Sequence, residues 1–239
     1  MEEQTELATL AAQGALSFAK PWVVFRVGLL ETSARALVAR LQAARRNTGT
    51  TSHNGYVTWR WVDGRELLDH ARELLAYSLR LEDLSCCTMQ AGFFMWANDQ
   101  PRNGPGTVDE FSNALAWLES LDELLEGGCG EEVAVWAWEE SGCRMRWLDA
   151  QRLALLDRHP RGDLLCQPIA CNMADFCGQL LREAAVMCDL GRRLRQESVG
   201  HPSAERRAEK FAVLTENLPD ATTQELLEHL GQRLARLST

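Results

Sequence analysis

The sequence predicts an α+β protein: a mixed or antiparallel sheet of about five to seven strands, packed by helices and followed by an all-helical C-terminal tail. Three observations carry this expectation. Short stretches alternate apolar and polar residues, as at 56–62, 133–139 and 144–148, the signature of half-buried strands. Between them, apolar residues recur at helical spacing, as at Leu67, Leu68, Ala71, Leu74 and Leu75. Finally, 133–139 and 144–148 are separated by four residues that include a Glu-Ser-Gly turn, so that pair is a hairpin and not a parallel crossover unit.

In order along the chain, residues 1–20 carry Leu7, Leu10, Ala11 and Ala15 in a loose helical pattern, read as a leading helix that Pro21 ends. Residues 22–30 are a continuous apolar run broken only by Arg26, as expected for a buried strand. A helix capped at Thr32 or Ser33 follows, and the polar residues 47–55 form a loop. Strand 56–62 leads to Asp63 and Glu66, which resemble a capping box for the next helix. Residues 87–97, with Phe93, Phe94 and Trp96, are strand-like. The segment 98–106 is the strongest loop signal and the expected hinge between halves.

Thr107 and Glu110 form a second capping box. It opens a helix with Phe111, Ala114, Leu115, Leu118, Leu121 and Leu125 on one face, closed by Gly127 and Gly128. After the hairpin, 153–156 and 164–169 suggest one or two short strands. Asn172 caps a long helix with Phe176, Leu180, Leu181, Ala184 and Cys188 inward, running to about residue 196 across a weak point at Gly191. Ser203 caps a charged helix, and Pro219 separates it from a last one bearing Leu226, Leu227, Leu230, Leu234 and Leu237. The expected divisions are an N-terminal half (1–98), a C-terminal half with the central hairpin (107–197) and a helical tail (203–239), all compatible with one domain.

Charge is unevenly spread. The chain's formal charge is -9, and residues 103–143 hold ten carboxylates (Asp109, Glu110, Glu119, Asp122, Glu123, Glu126, Glu131, Glu132, Glu139, Glu140) with no Lys or Arg. The remainder is therefore close to neutral. At 100° per residue, Glu119, Asp122, Glu123 and Glu126 form one contiguous row on a helix flank. Glu131, Glu132, Glu139 and Glu140 bracket the first hairpin strand, which also carries Trp136 and Trp138. Neighbouring carboxylates on a strand point to opposite faces, so these pairs do not converge on a metal. The bland reading of the acids is a solvated face that resists edge aggregation, and that of the tryptophans is a core.

Chemistry-bearing motifs are absent from the sequence. The five histidines form no H-x-E or H-E-x-x-H arrangement, no Gly-rich phosphate cradle follows a strand, and G-x-S-x-G does not occur. The eight cysteines contain no C-x2-C pair and read as structural thiols of a reducing compartment. An acidic balance argues against nucleic acid. No apolar run approaches the roughly 20 residues of a membrane span, and the acidic start is unlike a secretory signal. The expected location is the cytoplasm, with no cofactor, metal or membrane.

A mid-sized acidic α+β chain with many aromatics and no catalytic motif is similar in composition to bacterial toxin-neutralising (immunity) proteins. The resemblance covers no particular residues. It implies a non-catalytic protein that occludes a basic partner, such as a toxin or effector domain, through Glu119, Asp122, Glu123, Glu126, Glu131, Glu132, Trp136, Trp138, Glu139 and Glu140. The alternative is an enzyme or small-molecule binder with a pocket between the halves near 98–106, lined by His53 or His159. A second alternative is a structural subunit that oligomerises through 203–239.

Overall fold

The computed structural model describes residues 17–30, 37, 39, 51–54, 57–78, 91–97, 100–101, 111–137, 142–158, 168–201 and 218–237. The expected helix after Thr32 is described only at Leu37 and Ala39, both helical, with Leu37 buried in the core. The helix after Ser203, the capping box at Thr107 and the start of the leading helix lie outside the described residues.

The described strands are β1 (Ser17–Phe18), β2 (Pro21–Leu30), β3 (Thr51–Asn54), β4 (Val57–Asp63), β5 (Ala91–Ala97), β6 (Gln100–Pro101), β7 (Glu132–Ala137), β8 (Gly142–Asp149), β9 (Arg152–Arg158) and β10 (Ile169–Asn172). The helices are α1 (Gly64–Leu67), α2 (Ala71–Ser78), α3 (Phe111–Gly127), α4 (Met173–Ser198) and α5 (Ala221–Leu237), with a 3-10 turn (Leu68–His70) joining the first two. The class is mixed α+β with antiparallel sheets and a C-terminal helix.

Instead of one sheet of five to seven strands there are two sheets of five, ordered β3-β4-β2-β5-β6 and β1-β10-β9-β8-β7. The first is antiparallel throughout. The second is antiparallel except where β1 runs parallel to β10. The extra strands are the short ones at sheet edges. β3 falls in the expected loop 47–55, and β6 in the expected hinge. Short polar edges pair through the backbone and carry no apolar alternation to betray them. The expected leading helix is likewise corrected at its end. Ser17 and Phe18 lie opposite Ile169 and Ala170, and Pro21 opens a strand, a place where its missing N–H costs no ladder bond.

Strand β2 is central to the fold. Its residues 21–27 pair with β5, whereas β4 reaches it only from Arg26 to Leu30. The other edge of the early part is closed by side chains of α4. The Gln179 carboxamide accepts from the Val23 N–H at 3.0 Å and donates to the Pro21 carbonyl at 2.8 Å. Glu183 accepts from the Phe25 N–H at 2.9 Å and receives both terminal nitrogens of Arg65. Two helical side chains thus replace a strand, meeting the rule that buried backbone groups are paired.

Capping follows the sequence where it is described. The Asp63 carboxylate accepts from the Arg65 N–H at 2.9 Å to start α1, and the Asn172 side chain accepts from the Asp175 N–H at 2.9 Å to start α4. Helix α3 ends at Gly127, and Gly128 takes φ +85°, the left-handed conformation that suits glycine. The weak point at Gly191 is a crossing point. A β-carbon there would stand 2.9 Å from Cδ of Pro219, so glycine lets the chain pass over α4 before α5 begins. Arg195 fixes that passage by donating to the Leu218 carbonyl at 2.5 Å.

One hydrophobic core joins the elements, with Phe25, Leu74, Leu121, Met145, Phe176 and Leu194 all buried in it. Helix α5 turns its apolar stripe inward: Leu230 is buried, and Leu226, Leu227 and Leu234 pack against the core beside α3 and α4. Trp117, within the acidic stretch, is also core and lies 6.3 Å from the Phe176 ring. Among the described residues no helix is long and apolar enough to cross a membrane.

Candidate functional site

Helix α3 buries Trp117, Leu118, Leu121, Leu124 and Leu125, which fixes its roll and turns the acidic row to the opposite side. Glu119, Glu123 and Glu126 are exposed there, while Asp122 is partly covered. The cover is α5. Arg233 donates to the Asp122 carboxylate at 2.8 Å and approaches Glu126 at 3.7 Å, and His229 lies 3.7 Å from Asp122. Asp122 is thus committed within the chain and Glu126 shares its Arg233 partner at longer range, so the outward charge rests mainly on Glu119 and Glu123.

Glu131 extends that surface. It is exposed, and its side chain lies across Gly127, with Cγ only 2.5 Å from where a β-carbon of that glycine would stand. Glu131 therefore sits on the end of α3. This placement is unfavourable for the helix alone. Exposed carbonyls give a helix C-terminus partial negative charge, which cations stabilise by about 0.3–1 kcal/mol each. The last turn of α3 has no basic residue. Glu123, Glu126 and Glu131 are gathered where the helix field opposes them, and among the described residues no cation pairs with Glu119, Glu123 or Glu131.

Glu132 behaves differently. Its carboxylate receives Arg144 Nε at 2.6 Å and Arg146 Nη1 at 3.4 Å, with Arg146 directly opposite in β8. The pair Glu131 and Glu132 diverges as strand geometry requires. Trp136 lies in β7 opposite Cys143, after a register shift between Ala134 and Trp136. The Trp136 ring, Trp138, Glu139 and Glu140 lie outside the described residues and side chains.

A second charged cluster, buried at Arg26 and Glu183 and open to solvent at Arg65, surrounds the start of α1 together with Asp63 and Glu66. Burial pushes the Arg26 pKa down, with Asp63 and Glu66 pulling it back up, and the Glu183 hydrogen bond raises that of Arg65. Glu183 is committed to Arg65 and to the β2 backbone, so it holds the fold together and offers no open carboxylate to a substrate. Sequence reading missed Gln179 and Glu183. Their signal was a polar residue in core register: Glu183 stands three residues after Leu180, four before Met187 and seven after Phe176.

The described thiols fit structural roles. Cys143, Cys171, Cys177 and Cys188 are buried and Cys129 is exposed. Burial pushes the Cys171 and Cys177 thiols up to about 12 and Cys188 to about 11, which keeps them protonated and poorly nucleophilic at neutral pH. Among the described residues no group of His, Cys, Asp and Glu is placed to hold a metal ion. His53 is in β3, His70 is 3.9 Å from Glu73, and His159 lies outside the described residues.

The fold and this surface define an α+β protein with an acidic helix flank. Comparison with protein families, with characterised proteins and with solved structures finds no match to the chain.

Proposed function

We propose that this chain is a non-catalytic binding protein that occludes a basic protein partner through the exposed flank of α3. The observation that supports this most directly is the position of Glu123, Glu126 and Glu131 at the end of α3, with Glu119 on the same flank. Fold stability alone would place cations at the end of α3, and an acidic surface kept there against the helix field suits an external cationic surface. Such a surface steers encounter and sets orientation more than it adds affinity. Trp136, Trp138, Glu139 and Glu140 extend the proposed contact along the hairpin, and Asp122 and Glu132 support it from within. The compositional likeness to toxin-neutralising proteins makes a basic toxin or effector domain the proposed partner.

The test starts from a partner captured from the native host by the full chain and identified there. Reversing Glu119, Glu123 and Glu126 to Lys should slow association on the order of tenfold or more at low salt and flatten its salt dependence. Reversal of Glu225, exposed on α5, serves as the control. An unchanged on-rate for the triple variant, or a captured partner lacking a basic surface, would sink the proposal.

A further inference from the structure

A half-open cavity of about 280 Å³ lies between the first turns of α4, the end of α5 and the β8–β9 turn. Its walls include Trp147, Met173, Ala174, Gly178, Leu181 and Leu234. The polar groups nearest these walls are already used. The Trp147 indole N–H donates to the Asp149 carbonyl at 2.6 Å, and the Met173 N–H donates to the Gln151 carbonyl at 2.8 Å. What faces the space is therefore mainly apolar. A void of ~150 Å³ lined by apolar side chains takes up benzene, so this one has room for roughly ten carbon atoms.

Arg182 brings a positive charge beside the lining residue Gly178. Gly178 stands in the body of α4, where glycine costs about 1 kcal/mol relative to alanine. A β-carbon at Gly178 would meet only Nη1 of Arg182, at 3.5 Å. The glycine thus leaves the cavity open and brings a guanidinium onto its edge. Arg182 is exposed, and among the described residues no carboxylate pairs with it. Asp175, about one turn before Gly178 on the same helix, is the opposing charge.

We propose that this cavity is a binding site for an amphipathic monoanion, an aliphatic carboxylate whose chain fills the apolar space while its head group meets Arg182. The bidentate geometry of guanidinium and carboxylate suits that head group. The site is separate from the acidic flank of α3, so neither proposal depends on the other.

The full chain is titrated by calorimetry with decanoate, decanol and decyltrimethylammonium, each below its micellar concentration. Decanoate should bind saturably at one per chain, decanol about tenfold more weakly, and the cation not at all. Arg182→Ala should lower decanoate affinity about tenfold or more, the loss of its charge-assisted hydrogen bonds at an exposed site, and leave decanol unchanged. Asp175→Asn should strengthen decanoate. Gly178→Leu should abolish binding of both while its unfolding midpoint stays level or rises, since leucine is the better helix former. Absence of saturable decanoate binding, equal binding of all three probes, or full decanoate affinity in a folded Gly178→Leu variant would overturn the proposal.

Discussion

Glu183 is a buried carboxylate that serves two structures at once, giving α4 an ion pair and β2 a backbone acceptor. Removing it leaves the Phe25 N–H and part of Arg65 without their partner. Glu183→Ala should therefore destabilise the fold by about 3 kcal/mol, at the lower end for a broken buried pair because Arg65 is half exposed. Glu183→Gln keeps the acceptor and should cost clearly less, a ranking that urea midpoints will read. Asp149 offers a pH test at the same scale. The hydrogen bond from Arg152, helped by the Gln151 and Arg152 N–H groups, lowers its pKa below the usual 3.8. The folded state then binds its proton less readily than the unfolded state, so the stabilisation is full above that value and lost as pH falls through the lowered one. Asp149→Asn should be modestly less stable than the parent at pH 7, and the gap should close below pH 3.8. A gap of constant size would contradict this. Neither residue stands out in the sequence, where the apolar spacing of α4 is legible and the polar exception within it reads as noise.

Among the elements, periodic ones were legible and short ones were not. β4, α3, the β7–β8 hairpin, α4 and α5 each carry apolar residues at period 2 or 3.6, β2 carries a continuous apolar run, and each falls close to its expected bounds. β1, β3 and β6 have two to four residues and owe their existence to a neighbour's backbone, which no local pattern encodes. Glycine shows the same division. Gly191 and Gly231 look alike in the sequence, both interrupting a helix. Against Pro219, a methyl group at Gly191 forces a rigid ring to move, whereas around Gly231 nothing lies within 4 Å. Gly231→Ala should raise stability by about 0.5–1 kcal/mol, and Gly191→Ala should lower it. Thermal midpoints of opposite sign will confirm the crossing, and two increases would refute it.

For the whole molecule, the charge count pointed to a surface, and the fold divided it. Asp122 and Glu132 are drawn inward by Arg233, Arg144 and Arg146, partners 111, 12 and 14 positions away. The helix flank was legible because its neighbours are fixed by one helix. The loss of Asp122 was not, because it depends on how α5 returns across the molecule. The closing of β2 by α4 has a consequence of its own during synthesis. Val23 and Phe25 meet Gln179 and Glu183 across 156 and 158 positions, and β1 waits nearly as long for β10. Contacts of such range form late and slow the search for the native state. A ribosome therefore releases the apolar stretch 21–25 well before the two side chains that seal it. In that interval the nascent chain carries an open strand edge, available for pairing with other chains until α4 covers it.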